Sequence, residues 1–596
     1  MNPALIWFWG RALRSLRRSA YCLIALSVAL AASGCAQQPV AQAAAETKKA
    51  QPSPAQAVQP KGPKLPRVEL TDELLYGLLL AEIASNSGNL IVAAQAFEDL
   101  AKRTHDPRIA RSATDAALKA QMPETALESA RIWLETDPQS PEALRTLASL
   151  LLAANRVEEA EPYLKQILAE NEASRADAFM QLNRLLANYD DKAAALAIIQ
   201  RLAAAYPELA QAHFAIAQAA ATADQDELAL KEVREAARLS PDWELAVLYE
   251  AQLLQKNSND EASAVLAAFL EKHPRSRDVR LNYARVLVNQ KQYEAARNEF
   301  GVLLKEFPDN TEVLFAVALL SMQLEDWAPA EGYLKRLLTL DVRDQNTVRY
   351  YLGQVAEEQK QYPEALNWYR EVTSGAQYIP AQIRQAQVMS KEGDLDGARK
   401  FLHSVNASNN QQRVQLILAE AQLLREADRT KEAFALVGVA LEKLPDNTDL
   451  LYDYAMLAEK LDRMDILESS LRKVIKIKPD YAHAYNALGY SLADRSMRLP
   501  EARELVQKAL SLSPDDAFII DSMGWVEYRL GQPEEALKYL RKAYAGRQDP
   551  EIAAHLGEVL WTVGQHAEAE KVWDDALAKA PHNETLIKTI NRFKSQ

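Results

Sequence analysis

The sequence predicts an all-α solenoid of stacked helical hairpins, and three observations carry that prediction. A small residue recurs about every 34 positions, as at Ala148, Gly353, Gly524 and Gly557, and a second follows about twelve residues later, at Ala160, Ala365, Ala536 and Ala569. Antiparallel helices approach closely only where side chains are small, so a pair kept in phase builds the same hairpin again and again. Leu and Ala are abundant, only 18 of 596 residues are Gly, and no segment alternates as Val-, Ile- and Thr-rich strands do. Proline closes many units, at Pro138, Pro207, Pro241, Pro274, Pro308, Pro445, Pro479, Pro514 and Pro581, where it stops a helix from continuing.

Residues 1–34 read as a bacterial secretion signal. Arg11, Arg14, Arg17 and Arg18 precede the apolar stretch 20–32, which ends in Ala32-Ser33-Gly34-Cys35. About 13 apolar residues fall short of the roughly 20 that a spanning helix needs, so cleavage is expected rather than a retained anchor. The residues before Cys35 resemble a lipobox, with Ala32 where Leu is usual. That resemblance implies a diacylglycerol on the Cys35 sulfur. Cys22 lies in the part removed, which leaves Cys35 as the mature chain's lone cysteine and rules out a disulfide staple. Ala36 rather than Asp after the cysteine resembles the default signal for the outer membrane, with inner-membrane retention as the alternative.

Residues 35–66 form a tether rich in Ala, Gln and Pro, without apolar periodicity. Loss of the four signal arginines would take the net charge from −13 to −17, which argues against nucleic acid as a partner. No run of six or more like charges appears, so the acidity reads as a solvated surface.

Residues 67–582 hold the repeats. With the small residue of each first helix as position eight, the register runs Ala81, Thr114, Ala148, Asn183, Ala217, Glu250, Ala284, Ala318, Gly353, Ala386, Ala421, Ala455, Gly489, Gly524 and Gly557. The partner position is small throughout except at Leu467. The last unit carries Gly557, Ala569, Trp573, Ala576 and Pro581, and this set resembles the tetratricopeptide repeat. The resemblance implies a right-handed superhelix of about 13–15 hairpins. Asn183 and Glu250 at the small position, and the stretch 373–379 without a closing Pro, mark units expected to be distorted. In residues 583–596, Leu586, Ile587, Ile590 and Phe593 share one face, which predicts a capping helix over the last hairpin.

Catalytic constellations are not legible. The eight histidines are scattered, with no metal-ligand spacing, and there is no G-x-S-x-G, phosphate-binding G-x-x-x-x-G-K or dinucleotide fingerprint. No cofactor is expected, and the protein reads as a binder rather than an enzyme. In this repeat class the first-helix positions two, five, nine and twelve line a concave groove. Position nine carries Gln218, Gln354, Gln387 and Gln422, whose carboxamides both donate and accept, as contact with an extended backbone requires. Ordinary polar exposure accounts for them equally well. Further along, the same face presents Asn486, Tyr490, Asp521, Trp525, Tyr528, Arg529 and Trp561, which resemble an interface hot spot, although Trp and Tyr also pack between repeats.

The lipobox, the Pro-rich tether and the array from Ala81 to Pro581 together resemble the outer-membrane tetratricopeptide lipoproteins of Pseudomonas-type bacteria that partner a carboxyl-terminal processing serine protease. That resemblance implies an adaptor on the periplasmic face of the outer membrane. It would dock the protease and deliver cell-wall hydrolases to it, so controlling peptidoglycan remodelling. The alternative is a similar lipoprotein scaffold for outer-membrane protein, secretin, pilus or exopolysaccharide export machinery.

Overall fold

The computed structural model describes residues 65–170, 172–186, 189 and 191–594. The signal segment, Cys35 and most of the tether lie outside them. The described residues contain 31 helices and no strand. Fifteen hairpins run from Asp72–Asn86 with Leu90–Thr104 to Pro550–Thr562 with His566–Lys579, and a single helix, Glu584–Lys594, follows. Contacts divide the array after Pro308 into two compact units. The first seven hairpins belong to one unit, and the other eight with the closing helix belong to the other.

The small-residue ladder is the seam of each hairpin. Ala81, Thr114, Ala217, Ala284, Ala318, Ala386, Ala421 and Ala455 are fully buried, as are the partner residues from Ala93 to Ala569 apart from a trace of exposure at Ala195. A Cβ on Gly489 would lie 2.9 Å from the Ala502 carbonyl oxygen, and one on Gly524 would lie 3.1 Å from that of Ala536. There the inner helix packs on the backbone of the outer one, so nothing larger than glycine fits without a shift.

Punctuation between hairpins is also local. Pro308, Pro445, Pro514 and Pro581 each precede by two positions a residue whose side chain caps the next helix: Asn310, Asn447, Asp516 and Asn583. Proline ends one helix, and the Asn or Asp oxygen accepts an otherwise orphaned N–H of the next. Within hairpins the turn has a signature that the sequence pattern did not reveal. Seven residues after the small position the backbone is left-handed in thirteen hairpins, at Gly88, Gly393, Gly531 and Gly564 but also at residues such as Gln121, Lys291, Glu325 and Lys360. The next N–H then reaches back to the helix, as from Gln361 to Ala356 O at 2.8 Å, and satisfies carbonyls that the helix end leaves open.

Two of the expected distortions are present. The Glu250 helix lacks the left-handed turn and ends with Ser258 N donating to Leu254 O at 2.8 Å. Around the stretch without a closing proline, the outer helices Tyr362–Arg370 and Leu395–Ser404 have only 9 and 10 residues. The closing helix caps as its pattern predicts. Leu586 is fully buried, and Phe593 stacks on Trp573 at 6.2 Å. At the other end the first helix leaves Leu75, Tyr76, Leu79 and Ile83 exposed. Among the described residues no helix is long and apolar enough to cross a membrane.

Candidate functional site

The four glutamines take equivalent places. Each follows a buried small residue on an inner helix and is itself half-buried. Their amides are partly engaged already. Gln218 Oε1 accepts from Asn183 Nδ2 at 2.9 Å, Gln354 Nε2 donates to the Tyr350 hydroxyl at 3.1 Å, and Gln422 Nε2 donates to Glu426 at 2.9 Å. Gln218 and Gln354, each with one such bond, keep further donor or acceptor capacity for an incoming chain, whereas Gln422 Oε1 also accepts from Arg425 Nε at 3.1 Å. The Asn183 bond also crosses from one hairpin to the next, which explains how a polar residue is tolerated at a small position.

The second group is built on three successive inner helices, Ala482–Asp494, Ala517–Arg529 and Pro550–Thr562. Only Tyr528, Arg529 and Trp561 are partly exposed. Asn486, Tyr490, Asp521 and Trp525 are buried. An exposed hot spot is therefore not their arrangement: Tyr490, Asp521 and Trp525 converge on His555, which sequence spacing did not single out. His555 donates Nδ1–H to Asp521 Oδ2 at 2.9 Å, and its Nε2 lies 3.3 Å from the Tyr490 hydroxyl. The Trp525 ring stacks on the imidazole with centroids 4.3 Å apart, while the Arg529 guanidinium sits 5.7 Å from the centre of the same indole. Tyr528 reaches Thr562 Oγ1 at 3.2 Å, and Trp561 stacks on Trp573 at 5.6 Å, so these two tie neighbouring helices.

The electrostatics of this region are unbalanced. Burial pulls the His555 pKa down, but the charge and hydrogen bond of Asp521 outweigh it and the net shift is upward. Burial, then the charges of Asp549 and Asp521, push Glu551 well above the usual carboxylate range. Burial likewise raises Glu558, against the pull of Arg592, with which it pairs. Asn486 Oδ1, Asp521 Oδ1 and Trp525 Nε1 are buried without a hydrogen-bond partner.

Acidic side chains expected to be solvated are elsewhere buried as ties between repeats. Glu250 accepts from Arg234 Nε at 2.9 Å, Glu420 from Arg399 Nε at 2.9 Å, and Glu527 from Arg503 Nε at 2.7 Å. In each case an arginine on one outer helix holds a glutamate on the next inner helix. Glu357 takes three partners, the Tyr369 hydroxyl at 2.9 Å, Lys391 at 2.7 Å and Arg384 at 3.1 Å. Such pairs fix junction geometry, because removing the arginine strands a buried carboxylate. Among the described residues no three His, Cys, Asp or Glu side chains converge to hold a metal ion.

Comparison with known proteins gives matches to family models, to a sequence relative and to a solved structure. Tetratricopeptide-repeat models match residues 117–182, 253–320, 315–379 and 522–584. A TPR repeat-containing protein of Pseudomonas aeruginosa is 35% identical over 492 residues, covering 82% of this chain and 82% of its own length. A solved thermophilic TPR protein of Thermus thermophilus is similar at 25% identity over 30% of this chain and 97% of its own, with a TM-score of 0.28.

Proposed function

The chain belongs to the tetratricopeptide-repeat proteins, and from that premise we propose that it is a membrane-tethered adaptor for other proteins. A repeat array of this kind is a protein-interaction scaffold. Lipid on Cys35 and a Pro-rich spacer would hold it at the periplasmic face of the outer membrane, where tethering raises the effective concentration of whatever it binds. The partners we assign are a periplasmic carboxyl-terminal processing protease and the cell-wall hydrolases on which that protease acts. The adaptor gathers enzyme and substrate, and the cleaving serine belongs to the partner.

One observation carries the binding role. In the unit after Pro308 a half-buried glutamine follows a buried small residue on three inner helices, at Gln354, Gln387 and Gln422, so the hairpin seam and a polar file run side by side there, and Gln218 takes the same place on one inner helix of the other unit. Amides spaced in this way suit an extended polypeptide backbone without demanding a particular sequence.

The experiment is a Cys35→Ala variant compared with the native chain by membrane fractionation and by co-purification from crosslinked envelopes. The native chain is expected in the outer-membrane fraction with a serine protease, and the variant is expected to lose both. Recovery of a secretin or polysaccharide synthase with no protease overturns the assignment of partners. Hydrolysis of labelled peptidoglycan or casein by the purified protein alone overturns the adaptor reading itself.

A further inference from the structure

We propose that the uncovered face of the first helix, Asp72–Asn86, is the contact of a two-fold dimer, in which a second copy of this chain supplies the same face. The inference does not depend on the partners assigned above.

The face is a stacking surface whose neighbour is missing. In later hairpins the residues five before and two after the small position are sealed, as with Val348 and Val355, Ile519 and Val526, or Ile552 and Val559, none more than 3% exposed. Ile519 packs with Ala509 and Ile552 with Ala543, each on the outer helix of the preceding hairpin. The equivalent residues of the first hairpin are Tyr76 and Ile83, and they are 69% and 64% exposed. Leu75, Leu79 and Leu80 lie on the same arc of the helix at 43%, 52% and 38%. Beside them a cleft of about 460 Å³ opens between the first two helices, walled by Tyr76, Gly77, Leu80 and Ala96.

Size and shape select a second copy. The five side chains present on the order of 500–600 Å², more than the roughly 450 Å² of apolar surface that one partner contributes to a standard interface. Leu75, Leu79 and Ile83 stand at equal steps of four, so a two-fold axis at Leu79 sets Leu75 against the partner's Ile83 and Leu79 against its own equivalent. A row with that symmetry is its own complement. The other end of the array offers no matching apolar face, because the closing helix turns Glu584, Lys588, Asn591 and Arg592 to solvent. Association through the first helix therefore closes as a pair and does not run on into a fibre.

Charge does not oppose the pairing of two like faces. Three acids border the cleft, and Arg103 of the same copy holds two of them, Glu73 at 2.9 Å and Asp99 at 3.6 Å. The third, Asp72, lies in the first turn, where the helix dipole favours it. No charged residue stands between Glu73 and Glu82, so the row itself is apolar throughout.

The test is sedimentation velocity of the chain carrying Cys35→Ala, purified without its signal segment, so that no lipid drives association. Dimers are expected to predominate at about 20 μM, and Tyr76→Asp combined with Ile83→Asp is expected to weaken them at least about a hundredfold. Both residues are mostly exposed, so the double substitution leaves the hairpin packed, which circular dichroism checks. A second variant leaves the apolar face largely intact. Leu79→Cys supplies the sole thiol in that background, and oxidation should join two copies at least about tenfold faster than it does with Val439→Cys, a control at another exposed apolar position. A chain that stays monomeric up to about 100 μM, dimers unmoved by the double substitution, or equal cross-linking of the two thiols overturns the proposal. The other occupants then separate. Dimers gained on deleting residues 36–64 assign the face to the tether, and a different protein joined to the Leu79→Cys thiol in oxidised envelopes assigns it to a partner.

Discussion

A Cβ added to Gly557 would lie 2.0 Å from Trp573 Nε1, and Trp573 is fully buried against the closing helix. The inner helix of the last hairpin therefore depends on a missing side chain to admit the largest residue of the outer helix. Gly557→Ala is expected to cost about 3 kcal/mol, because neither the ring nor the backbone has room to yield. Gly332 is the opposite case: it is exposed in a helix, with nothing within 4 Å of an added Cβ. Gly332→Ala should stabilise by about 0.5–1 kcal/mol. Thermal unfolding of the two variants checks both, and equal midpoints would reject the close-packing explanation of the ladder.

Lys360 occupies the left-handed turn of its hairpin at φ 61°, where a Cβ is disfavoured. Replacing it with glycine removes that strain while keeping the backbone bond from Gln361 to Ala356. A net gain of about 0.5–1 kcal/mol is expected after the entropy lost from the unfolded chain is subtracted. The reverse change, Gly531→Ala at φ 80°, should cost about 1 kcal/mol. Denaturant melts of the two variants should shift in opposite directions.

The hairpin seam was legible because close helix contact imposes a size limit that recurs in phase. The apolar face of the closing helix was legible for a similar reason: burial is a local demand on residue type. The left-handed turn was not, since its bonds are made by backbone, so side chains as different as Gln121, Glu325 and Lys360 occupy it. His555 escaped notice because its partners lie 34 and 65 residues away, a distance that no short motif spans. The buried glutamates looked like solvated surface because their arginines lie at separations of 16, 21 and 24 residues. Each junction solves its own geometry, and no common spacing announces the pair.

Arg503 illustrates the cost of such a junction. Its Nε donates to Glu527 at 2.7 Å, and Glu527 is fully buried although the arginine is half exposed. Arg503→Ala leaves the carboxylate without its cation and is expected to destabilise by about 2 kcal/mol. Pairing Arg503→Ala with Glu527→Gln should recover much of that loss, because no buried charge remains. A double-mutant cycle by denaturant melts measures the coupling, and additive losses would show that the pair contributes nothing.

The region around His555 sets a pH dependence whose sign follows from its shifts. Burial is the first cause of the upward shifts of Glu459, Asp549, Glu551 and Glu558. A carboxyl group with a raised folded pKa holds its proton longer in the folded chain, so stability falls as pH rises from about 4.5 through the folded value. His555 is also raised. Its contribution is complete below about 6.5 and is lost as pH climbs through its folded value, in the same direction. Glu161, held at about 2 first by its hydrogen bond from Arg201, loses its contribution only below about pH 4.5. Lys460, lowered to about 8 first by burial, adds stability as pH rises between about 8 and 10.5. Between these two limits the raised acids and His555 act together, and the chain should unfold at a higher temperature at about pH 5.5 than at about pH 7.5. Glu551→Gln should narrow that gap by raising the midpoint at the higher pH, since the amide has no proton to lose. Asp521→Asn should instead lower the midpoint at about pH 5.5, because a protonated His555 then lacks its counter-charge. Calorimetric scans at the two pH values separate these effects, and a native chain with the same midpoint at both would remove the His555 region as a titrating element.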